Sequence, residues 1–170
     1  VTGYTTDSLF NTNITTAKFD SSGNLRWIKV YTKTGYSTSY GKDIVIDTSG
    51  NIIVCGAIKV TSGFVDIETI KYSPEGDELR TQTFNVAGNG NDIPVTVKTD
   101  ISENIIVAGT TQSLSANGDM VIIKYDSSSA LMWQNTFNGT ANLDDQMSSM
   151  TLDTDNNIYF CGSIYNTQGL

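Results

Sequence analysis

Histidine is absent from the chain, and cysteine occurs only at Cys55 and Cys161. Without imidazole, this chain alone cannot assemble a Ser-His-Asp or Cys-His nucleophile system. Zinc sites that use imidazole are excluded on the same ground. Positive charge is scarce as well: 10 Lys and Arg stand against 18 Asp and Glu, a net charge of −8. An acidic chain repels phosphate, which argues against nucleic-acid partners and anionic membrane surfaces. No apolar run approaches the roughly 20 residues of a spanning helix, so membrane insertion is not expected. Charged residues are only 16 % of the chain, against a usual share of about a quarter. The polar surface therefore falls to Thr, Ser and Asn, which suit half-exposed strands and turns. No segment has a 3.6-residue apolar period of helical length.

A tandem repeat is present instead. Four segments align without a gap, ending at Gly3, Gly56, Gly109 and Gly162, each 53 residues from the last. The last three read NIIVCG, NIIVAG and NIYFCG. Asp47, Asp100 and Asp153 share this register, as do Asn51, Asn104 and Asn157. Lys18, Lys71 and Lys124 recur, each followed by an aromatic, Phe19, Tyr72 or Tyr125. Tyr31, Phe84 and Phe137 form a further set, and Trp27 matches Trp133 with Arg80 between them.

Each period holds four strand-like runs rich in Val, Ile, Thr and aromatics, termed a, b, c and d. In one unit they are Pro94–Asp100, Asn104–Thr111, Met120–Asp126 and Leu131–Phe137. Turn signals such as DSSGN (Asp20–Asn24), DTSGN (Asp47–Asn51) and SPEGD (Ser73–Asp77) separate them. Gly or Asn in these turns supplies the positive φ of tight hairpins. Run b is apolar at consecutive positions, which predicts cover on both faces. The Gly after it leaves room for a neighbouring sheet.

These residues resemble the bacterial SBBP-type β-propeller repeat, D-x-x-G-N-x-(Y/I)-V-x-G followed by a D-x-x-x-x-K strand and a G-x-x-x-W strand. Asp47, Gly50, Asn51, Val54 and Gly56 carry the first element, Asp66 to Lys71 and Asp119 to Lys124 the second, Gly23 to Trp27 the third. The sequence departs at Glu103 and Asn156 in place of the turn Gly, at Arg80 in place of Trp, and at Ser129. The resemblance covers essentially the whole chain. It implies a propeller of about seven blades in secreted or surface proteins of bacteria, with diverse roles and no catalytic residue to carry over.

The expected fold is therefore all-β: four-stranded antiparallel blades of a partial or open propeller of about three blades. Residues 1–42 supply strands b-c-d, 43–91 and 92–144 one blade each, and 145–170 strands a-b, as one repeat array. Because closed propellers have about four to eight blades, the chain reads as a fragment of a longer repeat protein or an assembly unit. Its expected partners are other blades of the same or another chain, in a homo- or hetero-oligomeric assembly.

Several residues are candidates for a site. Asp153, Asp155 and Asn157 place oxygens at alternate positions, as calcium loops do. A turn held by Asp and Asn side chains explains them equally, and DTSGN and DISEN fill the same place elsewhere. Cys55 and Cys161 occupy equivalent positions on alternate blades, too far apart for the roughly 7 Å a disulfide spans; both are expected to be inert core thiols. Asp92 and Asp145 precede strand a, which lines the channel of a propeller, and Asp66 and Asp119 open strand c. Such carboxylates bind cations or sugar hydroxyls, or simply cap strand ends. Each repeated Lys is expected to pair with a repeated Asp such as Asp47 or Asp100. The d–a connections (32–42, 85–91, 138–144) and b–c loops (59–65, 112–118) vary most, and on a rigid scaffold specificity sits in such loops.

The expected function is a non-catalytic scaffold, adhesion or interaction module, secreted or at the bacterial cell surface, with no cofactor and a glycan or protein as ligand. The alternative is a glycan-binding lectin or a carbohydrate-active propeller with its site on the loop face, since glycoside hydrolysis needs only two well-placed carboxylates.

Overall fold

The structure, a computed structural model, describes residues 1–61, 63–86, 90–112 and 117–167. Among these residues there are thirteen strands and no helix. In chain order they are β1 (Thr2–Thr6), β2 (Thr12–Phe19), β3 (Leu25–Tyr31), β4 (Tyr36–Ile46), β5 (Ile52–Val60), β6 (Val65–Tyr72) and β7 (Glu78–Phe84). There follow β8 (Asp92–Thr99), β9 (Ile105–Gln112), β10 (Gly118–Tyr125), β11 (Leu131–Phe137), β12 (Gln146–Leu152) and β13 (Ile158–Ser163).

Consecutive strands pair antiparallel in four groups. Sheet one is β1–β3, sheet two β4–β7, sheet three β8–β11 and sheet four β12–β13. A single parallel bridge, Thr12 to Thr38, ties sheet one to sheet two. Strand β4 starts at Tyr36, so most of the connection expected at 32–42 is strand. Residues 62, 87–89 and 113–116, within the variable loops, lie outside the described residues.

One turn design recurs. The Asp at its start accepts from the backbone N–H of the residue four on, for Asp7, Asp20, Asp47, Asp100, Asp126 and Asp153. The fourth position takes positive φ whichever residue fills it: Gly50, Glu103 and Asn156 have φ of 81°, 61° and 64°, and Gly23, Phe10 and Ser129 have 84°, 64° and 69°. The carboxylate holds the turn so firmly that a side chain is carried in a region that favours glycine.

The Gly closing each b run is fixed by a bulge in strand a. Bulges fall between Gly41 and Asp43, Pro94 and Thr96, and Met147 and Ser149, each 53 residues apart. They aim the carbonyls of Tyr40, Ile93 and Gln146 at Gly56, Gly109 and Gly162, where a Cβ would stand 2.7, 2.2 and 2.1 Å away. At Gly109 and Gly162 the closest approach is thus from a strand of the same sheet. Side chains of the preceding sheet, Ile14 at Gly56 and Met120 at Gly162, come within 2.6 and 2.8 Å.

The sheets stack face to face. Tyr31 and Ile14 of sheet one pack on Ile52, Val54, Ile58, Ile70 and Tyr72 of sheet two. Ile53, Cys55, Ile67 and Phe84 on its other face pack on Val97, Ile105, Val107, Val121, Ile123 and Tyr125 of sheet three. Ile106, Ala108 and Met120 then meet Met147 and Met150 of sheet four. Strand b is therefore covered on both faces in β5 and β9, as consecutive apolar residues require. In β13 the same pattern lies mostly exposed, since no further sheet lies beyond it among the described residues.

Candidate functional site

The chemistry of this chain is concentrated in the seams between sheets. Two of the repeated lysines, Lys18 and Lys71, cross them. Lys71 Nζ lies 3.0 Å from Asp47 of its own sheet and donates to the Ser127 carbonyl of sheet three at 3.2 Å. Lys124 Nζ lies 2.7 Å from Asp100. Lys18 makes the cross-seam bond alone, to the Pro74 carbonyl at 2.8 Å; it has no carboxylate partner among the described residues. The pairing expected from sequence is present at two of the three lysines, and it is buried at Lys71–Asp47. Burial opposes ionisation of Asp47, but bonds from Asn51 and Lys71 outweigh it and hold its carboxyl below the ordinary value. Asp100 is held down in the same way by Lys124 and Asn104.

A second repeated feature is a carboxylate couple. The charge of Asp92 at the head of β8 acts on Asp66 of β6, and that of Asp145 beside β12 acts on Asp119 of β10, 53 residues further on. Asp92 and Asp145 are satisfied. Asp92 accepts from Val86 N–H at 2.8 Å and from the Thr111 hydroxyl. Asp145 accepts from Tyr165 N–H at 2.9 Å and from Gly139 N–H. These are bonds to loop amides of the strand-capping kind. Asp66 Oδ1 and Asp119 Oδ1 are buried without a hydrogen-bond partner among the described residues. Burial first, then the neighbouring Asp92 charge, pushes the Asp66 carboxyl up, against the pull of Tyr36 and Lys33. Burial and Asp145 do the same at Asp119.

Glu68 is a residue that the repeat alone does not single out. It is 0 % exposed in the first seam. It accepts from the Tyr31 hydroxyl at 2.6 Å, the Thr83 hydroxyl at 2.7 Å and Lys33 Nζ at 3.1 Å. Burial, then Glu68, pushes the Tyr31 hydroxyl up. The signal was a charge within an apolar c strand, where the equivalent residues are Thr15 and Val121. With its oxygens already engaged and no access from solvent, the group clasps sheets one and two together.

At the calcium candidate, Asp153 Oδ1 accepts from Asp155 N–H at 2.9 Å and Asn157 N–H at 2.8 Å. Its Oδ2 accepts from the Asn157 amide at 2.7 Å and the Tyr159 hydroxyl at 2.9 Å. The Asn157 side chain thus serves as a donor to the turn. Among the described residues, no group of three or more Cys, Asp or Glu side chains is arranged to hold a metal ion.

Both cysteines are free thiols, but their surroundings differ. Cys55 is buried between sheets two and three, and burial, with Asp43 beside it, pushes its thiol up to about 12. Cys161 is exposed on β13, contrary to the expectation of a core thiol, because its face of sheet four is uncovered. No family model matches the chain, and no curated protein matches it at a significant level.

Proposed function

We propose that the chain is a non-catalytic scaffold or interaction module built from blades of a β-propeller, and that its partners are further blades from the same or another chain. One observation carries this reading. Three successive seams repeat the same face-to-face contact at 53-residue spacing, yet the two outermost faces bear apolar side chains in water. Val1 on sheet one and Tyr159 on sheet four are 76 % and 55 % exposed, whereas their counterparts inside the stack, Val54 and Ile106, are fully buried. Strand a of each sheet also lies against strand a of the next, β4 against β8 and β8 against β12, as blades about an axis do. The densest polar groups, at Lys71 and Glu68, are engaged in holding sheets together, which suits a structural role.

Light scattering across a range of concentrations tests the assembly. Association that grows with concentration is expected, because bare blade faces promote contact; a persistent monomer with cooperative unfolding overturns it. A glycan-array screen tests the scaffold role, and tight binding to one sugar family would replace it with the lectin reading.

A further inference from the structure

The first two seams make the same contact in opposite chemistry. In the first, β3 of sheet one ends in Tyr31, with Lys33 two residues on, and both reach Glu68 on β6 of sheet two. The Tyr31 hydroxyl donates at 2.6 Å, and Lys33 Nζ lies 3.3 and 3.1 Å from the two carboxylate oxygens. Thr83 of sheet two adds a bond of 2.7 Å. In the second seam the residues 53 positions on are Phe84, Val86 and Val121. Phe84 and Val121 share one buried cluster, and Val86 packs against it.

The aliphatic contacts around this place do not tell the seams apart. Ile52, Val54 and Ile70 in the first correspond to Ile105, Val107 and Ile123 in the second. The three-residue contact does. Phe84 and Val86 set against Glu68 would leave a carboxylate that is 0 % exposed with Thr83 as its remaining donor. A buried charge stripped of its partner is strongly destabilising. Tyr31 and Lys33 set against Val121 would press a hydroxyl and an ammonium onto an apolar surface without an acceptor.

We propose that Tyr31, Lys33 and Glu68 form a pairing key that selects which sheet docks on this face of sheet two. The face accepts a sheet whose outer strand ends in tyrosine with lysine two residues on, from this chain or a second copy of it. It rejects one that ends in phenylalanine and valine, as sheet two itself does. Specificity of this kind lies in the penalty on the wrong pairing, and it lets blades of one repeat stack in a single order. The inference deepens the scaffold reading and rests on it, since it names the kind of sheet that one blade face takes.

The test compares melting temperatures of four forms of the full chain: the parent, Glu68→Val, Tyr31→Phe with Lys33→Val, and all three changes together. The double form reproduces the wrong pairing in place, and it is expected to melt about 10 °C below the parent. In the parent, Glu68→Val strands the Tyr31 hydroxyl and is expected to lower melting by about 3 °C. In the double form the same change removes the stranded charge and is expected to raise melting by about 5 °C or more. A Glu68→Val change that moves melting in the same direction in both backgrounds overturns the key. Should the double form not fold, Tyr31→Phe alone serves as the milder mismatch. Glu68→Val must then cost less than it does in the parent, and an equal or larger cost overturns the key. The scaffold reading is judged separately, by scattering on the parent, because this cycle reads a seam within one chain.

Discussion

Strands β9 and β13 are the same element of the repeat, yet they meet opposite environments. In β9, Ile105 to Ala108 are fully buried, Ile105 and Val107 against sheet two and Ile106 and Ala108 against sheet four. In β13 the counterparts Ile158 to Cys161 face sheet three on one side only. Tyr159, the counterpart of Ile106, is 55 % exposed. The difference lies in neighbours, since backbone pairing to strand a is alike in both. An apolar run in this protein thus records how many sheets the position was built to touch, and only stacking converts that capacity into burial.

The largest effect should come from truncating the two counterparts. Ile106→Ala is expected to cost about 2–5 kcal/mol, because it removes buried contacts and leaves a cavity in the third seam. Tyr159→Ala should cost less than about 1 kcal/mol. Urea denaturation of both variants measures the gap, and equal losses would mean that the outer face of sheet four is covered in solution.

A smaller effect sharpens the comparison at the repeated glycines. A Cβ at Gly109 would meet the Ile93 carbonyl at 2.2 Å, whereas one at Gly3 meets nothing within 4 Å. Gly109→Ala is expected to destabilise by about 1–3 kcal/mol as β8 is forced away. Gly3→Ala should be neutral, because no heavy atom stands where its Cβ would go. Thermal unfolding of the pair distinguishes them.

The smallest effect concerns pH. Asp66 and Asp119 have carboxyls raised in the folded state, chiefly by burial. A raised carboxyl favours the fold below the unfolded value, and that contribution is lost as pH rises through the folded value. Above the folded value each group is ionised at the fold's expense. Asp66→Asn should therefore melt higher than the parent at pH 7, with the advantage vanishing near pH 3. The turn and ion-pair carboxylates Asp47 and Asp100 act in the opposite sense, supporting the fold above the unfolded value and failing as pH falls through their lowered ones. A lower melting temperature for Asp66→Asn at pH 7 would mean that Asp66 has an unseen partner that stabilises its charge.

Much of the site was legible because it repeats. The Lys71–Asp47 pair could be inferred from two residues that keep register with Lys124 and Asp100. The Asp66–Asp92 couple was visible only as two separate positions, because its members sit on different sheets, and stacking alone brings them together. Glu68 was harder still. It occurs once, and its partners lie on two other segments, Tyr31 and Lys33 at the end of β3 and Thr83 on β7. The positive φ at Glu103 and Ser129 ran against residue preference, since the Asp at each turn's start dictates the conformation.

The sequence by itself determined the strands, their turns and the 53-residue spacing, because these follow from local chemistry: β-branched runs and Asp-held hairpins. Only the tertiary structure decided which of the repeated positions are buried, paired or left open. Cys55 and Cys161, or Lys71 and Lys18, are alike in register and unlike in surroundings. Burial and charge pairing depend on what stands across the seam, and that is a property of the stack.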